Sequence, residues 1–402
     1  MTKPIAELGV AYFKGVSVKE KGTEGEYVLV PSGAVFPEHI KLDRCKRFTD
    51  DPAKLSQKFL QSNDVLFNSG GVGTLGRSHH IASIEPKTYV PDSFVLVLRT
   101  NGEQLLSKYL YYYLQSPAAK QLIEDNTRGT IGITSIKSEA VLGFPISCPS
   151  LAEQQRIVRL LDEAFEGIAI AKANAEKNLQ NARALFESHL NSVLSQDGPG
   201  WVVRRIEEWC GSIMDCVNKT APVVDYTTPY KMIRTTNVRN GRVDLSAVRY
   251  VSEETYQVWT RRQKPQPGDI ILTREAPMGE VGMLLTEDKV FLGQRLVSYR
   301  VNSTIMNNHF LLFSLQSSGL QRQIQAKASG ATVQHMRVPD TKNLLLAAPP
   351  LAKQLEIVAK LKTLQEVALR LVEIYELKNA ALNDLKRSLL DQTCSEALRA
   401  AS

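Results

Sequence analysis

Two arrangements in this sequence carry residue types whose spacing suggests chemistry. Gly71-x-Gly73-x-x-Gly76 follows an apolar run, and such glycines let backbone N–H groups approach a phosphate. A dinucleotide or S-adenosylmethionine site also needs an amphipathic helix after the glycines. Arg77 to Ser83 (RSHHIAS) reads instead as a turn and a returning strand, and the corresponding turn in the second half keeps only Gly279 and Gly282, with Pro277 in place of the first glycine. Asp64…Glu85-x-Lys87 and Asp269…Glu287-x-Lys289 fit the loose D…ExK pattern of metal-dependent cleavage. Both Glu-x-Lys segments sit beside Pro or Asp-Lys turns and read as surface turns.

Other catalytic patterns are incomplete. Thr228-Pro229-Tyr230 lacks the first proline and the preceding Asn or Asp of an amino-methyltransferase motif. The six histidines form no HExxH, and no GxSxG occurs.

A third kind of chemistry is base reading. Arg or Lys pairs with guanine edges and Asn or Gln with adenine, while cations and hydroxyl donors hold phosphates. Loops carry such groups best. The first half offers Arg77, Ser78, His79 and His80 after the glycine turn, and Arg128, Thr130, Thr134, Ser135 and Lys137 in a later Gly-marked loop. The second half offers Arg234, Thr235, Thr236, Asn237, Arg239, Asn240 and Arg242, then Arg274 and Glu275, then Gln334, His335 and Arg337. Each of these types also coats ordinary surfaces, so the clusters mean more than any one member.

The elements that must hold these residues read as mixed α and β. Tyr27–Val30, Asp64–Phe67 and Ser93–Leu98 are strand candidates, and 108–123 is helical on both sides of Ser116-Pro117. After a DGPG linker at 197–200 the plan returns. Tyr230–Ile233 stands for Tyr27–Val30, Asp269–Leu272 for Asp64–Phe67, 308–324 for the first helical segment, and Leu315-Gln316-Ser317 for Leu114-Gln115-Ser116. Ser329 to Thr332 stands for Arg128-Gly129-Thr130. Two copies of one scaffold with different loops suit two different ligands.

A closer repeat follows each copy. Pro149-Ser150-Leu151-Ala152-Glu153-Gln154-Gln155-Arg156-Ile157-Val158 returns 200 residues later as Pro349-Pro350-Leu351-Ala352-Lys353-Gln354-Leu355-Glu356-Ile357-Val358. Each copy opens a run of about 45 helix-forming residues, roughly 65 Å of helix. Apolar residues fall at Ile157, Leu161, Ala164, Ile168, Ala171, Ala175, Ala182 and Leu185, and at Ile357, Leu361, Leu364, Ala368, Leu371, Tyr375, Leu382, Leu385 and Leu389. Those steps make an a/d seam. Asn178 and Lys378 interrupt both seams at one register, either fixing partner register or marking a shift of the buried face. Each stripe needs a partner, and the economical one is the other copy, in a stiff antiparallel pair with a domain at each end.

Composition bounds the rest. The chain has 402 residues, 43% hydrophobic and 23% charged, enough for two or three folded domains. A charge of +7 and pI near 9.0 suit a polyanionic partner. Cys45, Cys148, Cys210, Cys216 and Cys394 form no CxxC pair, which fits a reduced, cytoplasmic setting. The start, MTKPIAELGV, lacks a signal-peptide plan, and no apolar run nears the ~18 residues of a membrane span.

The order variable domain, helix, variable domain, helix, with helices opening in P-x-LAEQQ-x-IV, resembles the specificity (S) subunit of type I restriction–modification enzymes. The helix motif is matched by Pro149, Leu151, Ala152, Glu153, Gln154, Gln155, Ile157 and Val158, and again by Pro350, Leu351, Ala352, Gln354, Ile357 and Val358. Lys353 and Leu355 depart from it. Thr273 to Gly279 looks like the family's Gly-rich loop after a strand, where the first half has Asn68-Ser69-Gly70. The first half also lacks a counterpart of the Gly200-Trp201-Val202 opening.

The resemblance implies an α+β chain. A first target-recognition domain spans 1–148 and a spacer helix 149–196, and a second domain (197–348) and helix with tail (349–402) follow. Each domain would read half of a split site in double-stranded DNA, and helix length would set the gap. The helix starts, at Leu151, Glu153, Gln154, Gln155, Leu351 and Gln354, would dock two methyltransferase (M) subunits, and the two helices capping each other's ends would explain the repeat equally well. Restriction/translocase (R) subunits would join, with S-adenosylmethionine, ATP and magnesium in the partner subunits and no cofactor, metal or membrane for this chain. Two other readings compete: a helical-rod scaffold with protein-binding end domains, and a metal-dependent nuclease using the D…ExK residues.

Overall fold

The computed structural model describes residues 2–127, 134–195, 198–330 and 334–399, the side chains of 394–399 excepted. Two compact units result, Met1–Glu176 with Glu376–Ser402, and Lys177–Tyr375. Each unit takes one sheet-rich domain, the start of one long helix and the end of the other.

In the first unit a four-stranded antiparallel sheet has the order Val10–Lys14, Val95–Thr100, Val65–Asn68, Ser78–His80. Its two central strands are apolar runs rather than alternations because both faces are covered. Val65, Phe67, Leu96 and Leu98 enter one core with the helices Ser107–Gln115 and Pro117–Asn126. Leu66, Val95 and Val97 enter another with Val30, Ala34 and Val35. Tyr27–Val30 is the middle strand of a second, three-stranded sheet, between Lys46–Phe48 and Tyr89–Pro91. The period of two along a strand makes this division.

The second unit repeats the plan. Ile270, Leu272, Val297 and Tyr299 face one core, while Ile271 and Leu296 face another with Ile233 and Val290. The larger sheet has six strands, Cys210–Asp215, Leu296–Val301, Ile270–Arg274, Met278–Met283, Gly241–Val243 and Val238–Arg239. Ser116 and Ser317 explain their place in the repeat. Each ends one helix and accepts the first amide bond of the next, from Ala119 and Leu320 respectively. The second domain's opening also has its counterpart. Val202–Arg205 pairs with Leu345–Ala348, and Thr2–Pro4 pairs in the same way with Pro145–Ser147.

The long helices are Leu151–Leu194 and Leu351–Arg399. In the first unit Leu389 and Leu390 pack with Ile157, Leu161 and Phe165, Lys386 lies 5.0 Å over the Phe165 ring, and Lys172 donates to Asn383 at 2.8 Å. Rising numbers meet falling ones, so the segments are antiparallel. In the second unit Phe186 and Leu190 share a core with Ile357 and Leu361. The seam differs from the spacing expected. Leu185 and Leu385 are 51% and 47% exposed, and Asn178 and Lys378 face solvent. Past the interruption the buried face moves on by one position, to half-buried Leu179 and Phe186 in the first helix and Asn379 and Lys386 in the second. The polar residues mark a shift of face rather than a buried register lock.

Candidate nucleic-acid interface

In the first domain the strand Val65–Asn68 runs into the glycine turn. Gly71, Gly73 and Gly76 have φ of +109°, +69° and +78°, a backbone path that glycine adopts without strain. Gly76 N–H donates to the Asn68 carbonyl and Asn68 N–H to the Arg77 carbonyl, which turns the chain into the returning strand. These glycines therefore build a hairpin, not the entry to a helix. The later loop closes on the same turn: Gly71 N–H donates to Thr134 O at 3.2 Å, Ile136 N–H to Ser69 O at 2.9 Å, and Gly70 bridges to Ser135. The segment after Val30 joins them through Asn68 Nδ2, which donates to Ser32 O at 2.8 Å. The Lys41 ammonium and the Arg44 guanidinium of that segment, with the Arg77 guanidinium of the glycine turn, lie 4.8, 5.4 and 4.9 Å from the Phe36 ring centre. None of the three cations has an ion pair among the described residues. Such crowding of like charge suits an anion.

The second domain assembles the corresponding loops. Met336 N–H donates to Arg274 O at 2.9 Å and Glu275 bridges to His335. Gly293 N–H donates to Ile233 O, as Asp92 N–H does to Val30 O. Asn240 and Gly241, at φ +52° and +76°, form the two-residue turn of a hairpin that sets Arg239 opposite Arg242. The sequence-named clusters at 77, 134–137, 274–275 and 334–337 thus converge within each domain.

Individual members fare differently. Ser135, Lys137, Thr236, Asn240, Arg242, Gln334 and His335 are exposed, while Arg77, Thr134, Arg234, Thr235 and Arg239 are half-buried. Arg337 is exposed but ion-paired with Asp340 at 2.8 Å. Arg274 donates to Met336 O at 3.0 Å and so holds the loop. Ser78 is buried. Asn237 is buried too, its amide donating to the Asp244 and Ala247 carbonyls while its oxygen accepts from Arg234 N–H, so it shapes its loop instead of facing a base. His79 bonds to Pro37 O, and burial holds its pKa below the usual imidazole range. His80 turns to Ser107 Oγ at 3.1 Å; burial, with Lys108 nearby, pushes its pKa down to about 4. Arg128 and Thr130 lie outside the described residues.

The helix-start residues divide sharply. Gln155 is exposed, and Leu151, Glu153 and Leu351 are half-buried. Gln154 and Gln354 are fully buried. Gln154 Oε1 accepts from Leu106 N–H at 2.9 Å, and its Nε2 donates to Gln104 O at 2.8 Å and Pro149 O at 2.9 Å. Gln354 repeats this with Asn307 N–H at 2.8 Å and with Ile305 O and Pro349 O at 2.9 Å. The repeated glutamine pins each long helix to its own domain, so neither side chain is open to a partner. The D…ExK aspartates are likewise taken up. Asp64 accepts a two-pronged pair from Arg99 at 2.7 and 2.8 Å, and Asp269 the same from Arg300 at 2.8 and 2.7 Å, with Gln61 and Gln266 N–H completing each. Glu85 and Glu287 stand exposed on their turns.

Phe36, Lys41, Arg44, Phe94 and Arg295 belong to these clusters and were not among the residues named from sequence. The repeat carried the signal. Tyr27–Val30 aligns with Tyr230–Ile233, so the segment after Val30 had the same standing as 234–242. No helix among the described residues is long and apolar enough to cross a membrane.

The family described as type I restriction modification DNA specificity domain matches residues 38–181 and again 200–379. The type I restriction enzyme EcoBI specificity subunit of Escherichia coli is 21% identical over 70% of this chain, and the match spans 64% of that subunit, just under two thirds. The EcoKI specificity subunit of Escherichia coli K12 is 22% identical over 84% of this chain and 75% of its own. Among solved structures, a chain from work on complex assembly and conformational transition of the type I R-M system superposes with a TM-score of 0.74 at 19% identity, covering 96% of this chain and 97% of that one. The HsdS subunit of Thermoanaerobacter tengcongensis superposes at 0.58 with 17% identity, covering 96% of each.

Proposed function

This chain belongs to the family of type I restriction–modification DNA specificity domains, and from that premise we propose that it selects the DNA sequence for a methyltransferase and nuclease assembly. Each domain reads one half of a split site in double-stranded DNA. The exposed side chains of the helix starts, Gln155 foremost, dock methyltransferase (M) subunits, two per chain, and restriction/translocase (R) subunits join them. Gln154 and Gln354 act indirectly, by holding the helices to the domains. The chain is not itself catalytic; S-adenosylmethionine, ATP and magnesium belong to the partners, and the assembly works in the cytoplasm.

The observation that carries this reading is the loop cluster at the strand ends, built twice on one backbone plan with different side chains. Basic and hydrogen-bonding residues on loops over a rigid sheet are what base reading requires. Co-expression with a methyltransferase subunit, followed by genome-wide mapping of modified bases, tests it. The expected result is a split motif with a fixed unread gap. A continuous motif would mean that one domain reads alone, and a stable complex without modification would overturn the reading.

A further inference from the structure

The two domains place three positions on one backbone frame and fill them with different chemistry. In the first domain Ser69 N–H donates to Phe94 O at 2.8 Å, Ile136 N–H to Ser69 O at 2.9 Å, and Gly70 bridges to Ser135. In the second, Arg274 N–H donates to Arg295 O at 2.8 Å, Met336 N–H to Arg274 O at 2.9 Å, and Glu275 bridges to His335. The bonds correspond one for one. Gly70, Phe94 and Ser135 therefore stand where Glu275, Arg295 and His335 stand.

Phe94 is 48% exposed and covers Gly70, since a Cβ at Gly70 would lie 2.6 Å from Phe94 Cδ1. Arg295 holds φ at +72°, a conformation that side-chain-bearing residues keep only when their surroundings impose it, most often at functional sites. Its Nε lies 2.9 Å from the Glu275 carboxylate, with half of the Arg295 side chain open to solvent.

We propose that these positions determine specificity in each domain: Arg295 with Glu275 reads a G·C pair in the second half-site, and Phe94 over Gly70 reads a thymine methyl in the first. The inference rests on the reading that both domains bind DNA. Arginine donates to guanine O6 and N7, and a carboxylate accepts from cytosine N4, so an arginine–glutamate pair matches the two edges of one base pair in the major groove. A phenyl ring offers no hydrogen bond, and apolar contact with the thymine methyl is what it contributes.

The test maps modified bases for complexes carrying Phe94→Ala, Arg295→Ala, Glu275→Ala and Arg295→Gln. Phe94→Ala is expected to relax one position of the first half-site and leave the second unchanged. Arg295→Ala and Glu275→Ala relax one position of the second half-site, with roughly tenfold to hundredfold less discrimination there. Arg295→Gln shifts that position toward adenine, and it is the deciding variant because a merely unfolded domain cannot change preference. A split motif in the unaltered protein that survives Arg295→Gln and Phe94→Ala at every position overturns this inference alone. An unaltered complex that modifies no split sequence overturns the proposed function and this inference with it.

Discussion

Lys41, Arg44 and Arg77 share one phenyl ring, and that geometry says more than their charges do separately. Cation–π attraction to Phe36 offsets part of the mutual repulsion of three cations, and a phosphate would offset the rest. A cation that contacts a phosphate contributes through released counterions, so its removal shows in the salt dependence of binding. Lys41→Gln and Arg44→Gln are each expected to lower the slope of log K against log salt by about 1 while leaving the modified sequence unchanged. The assay is fluorescence anisotropy of the assembled complex over a salt series, and an unchanged slope would mark the residue as solvated surface. Asn237 shows why residue type alone misleads. It has the chemistry to read adenine, yet it is buried and three bonds within its own loop hold it there.

The helix start is where the repeat is tightest, and a single side chain accounts for that. Gln154 satisfies one N–H and two carbonyls at the junction between its helix and the helix Ser107–Gln115. An amide is the only neutral side chain that donates and accepts in this way, so the same residue recurs at Gln354. Gln154→Ala strands buried backbone groups and is expected to destabilise the first domain by ~3 kcal/mol. Gln155→Ala, one residue on and exposed, is expected to stay within ~0.5 kcal/mol when both variants are unfolded in urea. Equal losses for the two would remove the pinning role. Gln155→Ala should instead weaken capture of the methyltransferase subunit. In sequence only the repeat separates the two glutamines, since Gln154 returns as Gln354 and Gln155 as Leu355; burial gives the reason.

At the scale of the whole molecule, the chain's end completes its beginning. Leu389 and Leu390 lie in the core that holds Ile157 and Leu161, and Lys386 also pairs with Glu38 at 2.9 Å. Deleting residues 376–402 is therefore expected to raise hydrogen exchange across 107–126 and 151–176 and to leave the second unit protected, as read by mass spectrometry of the shortened and unaltered chains. Uniform exchange would contradict the division into units. The sequence by itself determined the repeat, the two long helices, the strands Tyr27–Val30, Asp64–Phe67 and Ser93–Leu98 with two of their second-half counterparts, and the family resemblance. Those features rest on period, punctuation and local propensity, which neighbouring residues encode together. Only the tertiary structure decided that Gln154 points inward, that the apolar face shifts at Asn178 and Lys378, and that Arg295 meets Glu275 beside His335. Each of those outcomes depends on residues that are remote in the chain and become neighbours only when the sheets and helices pack, and no local pattern records that.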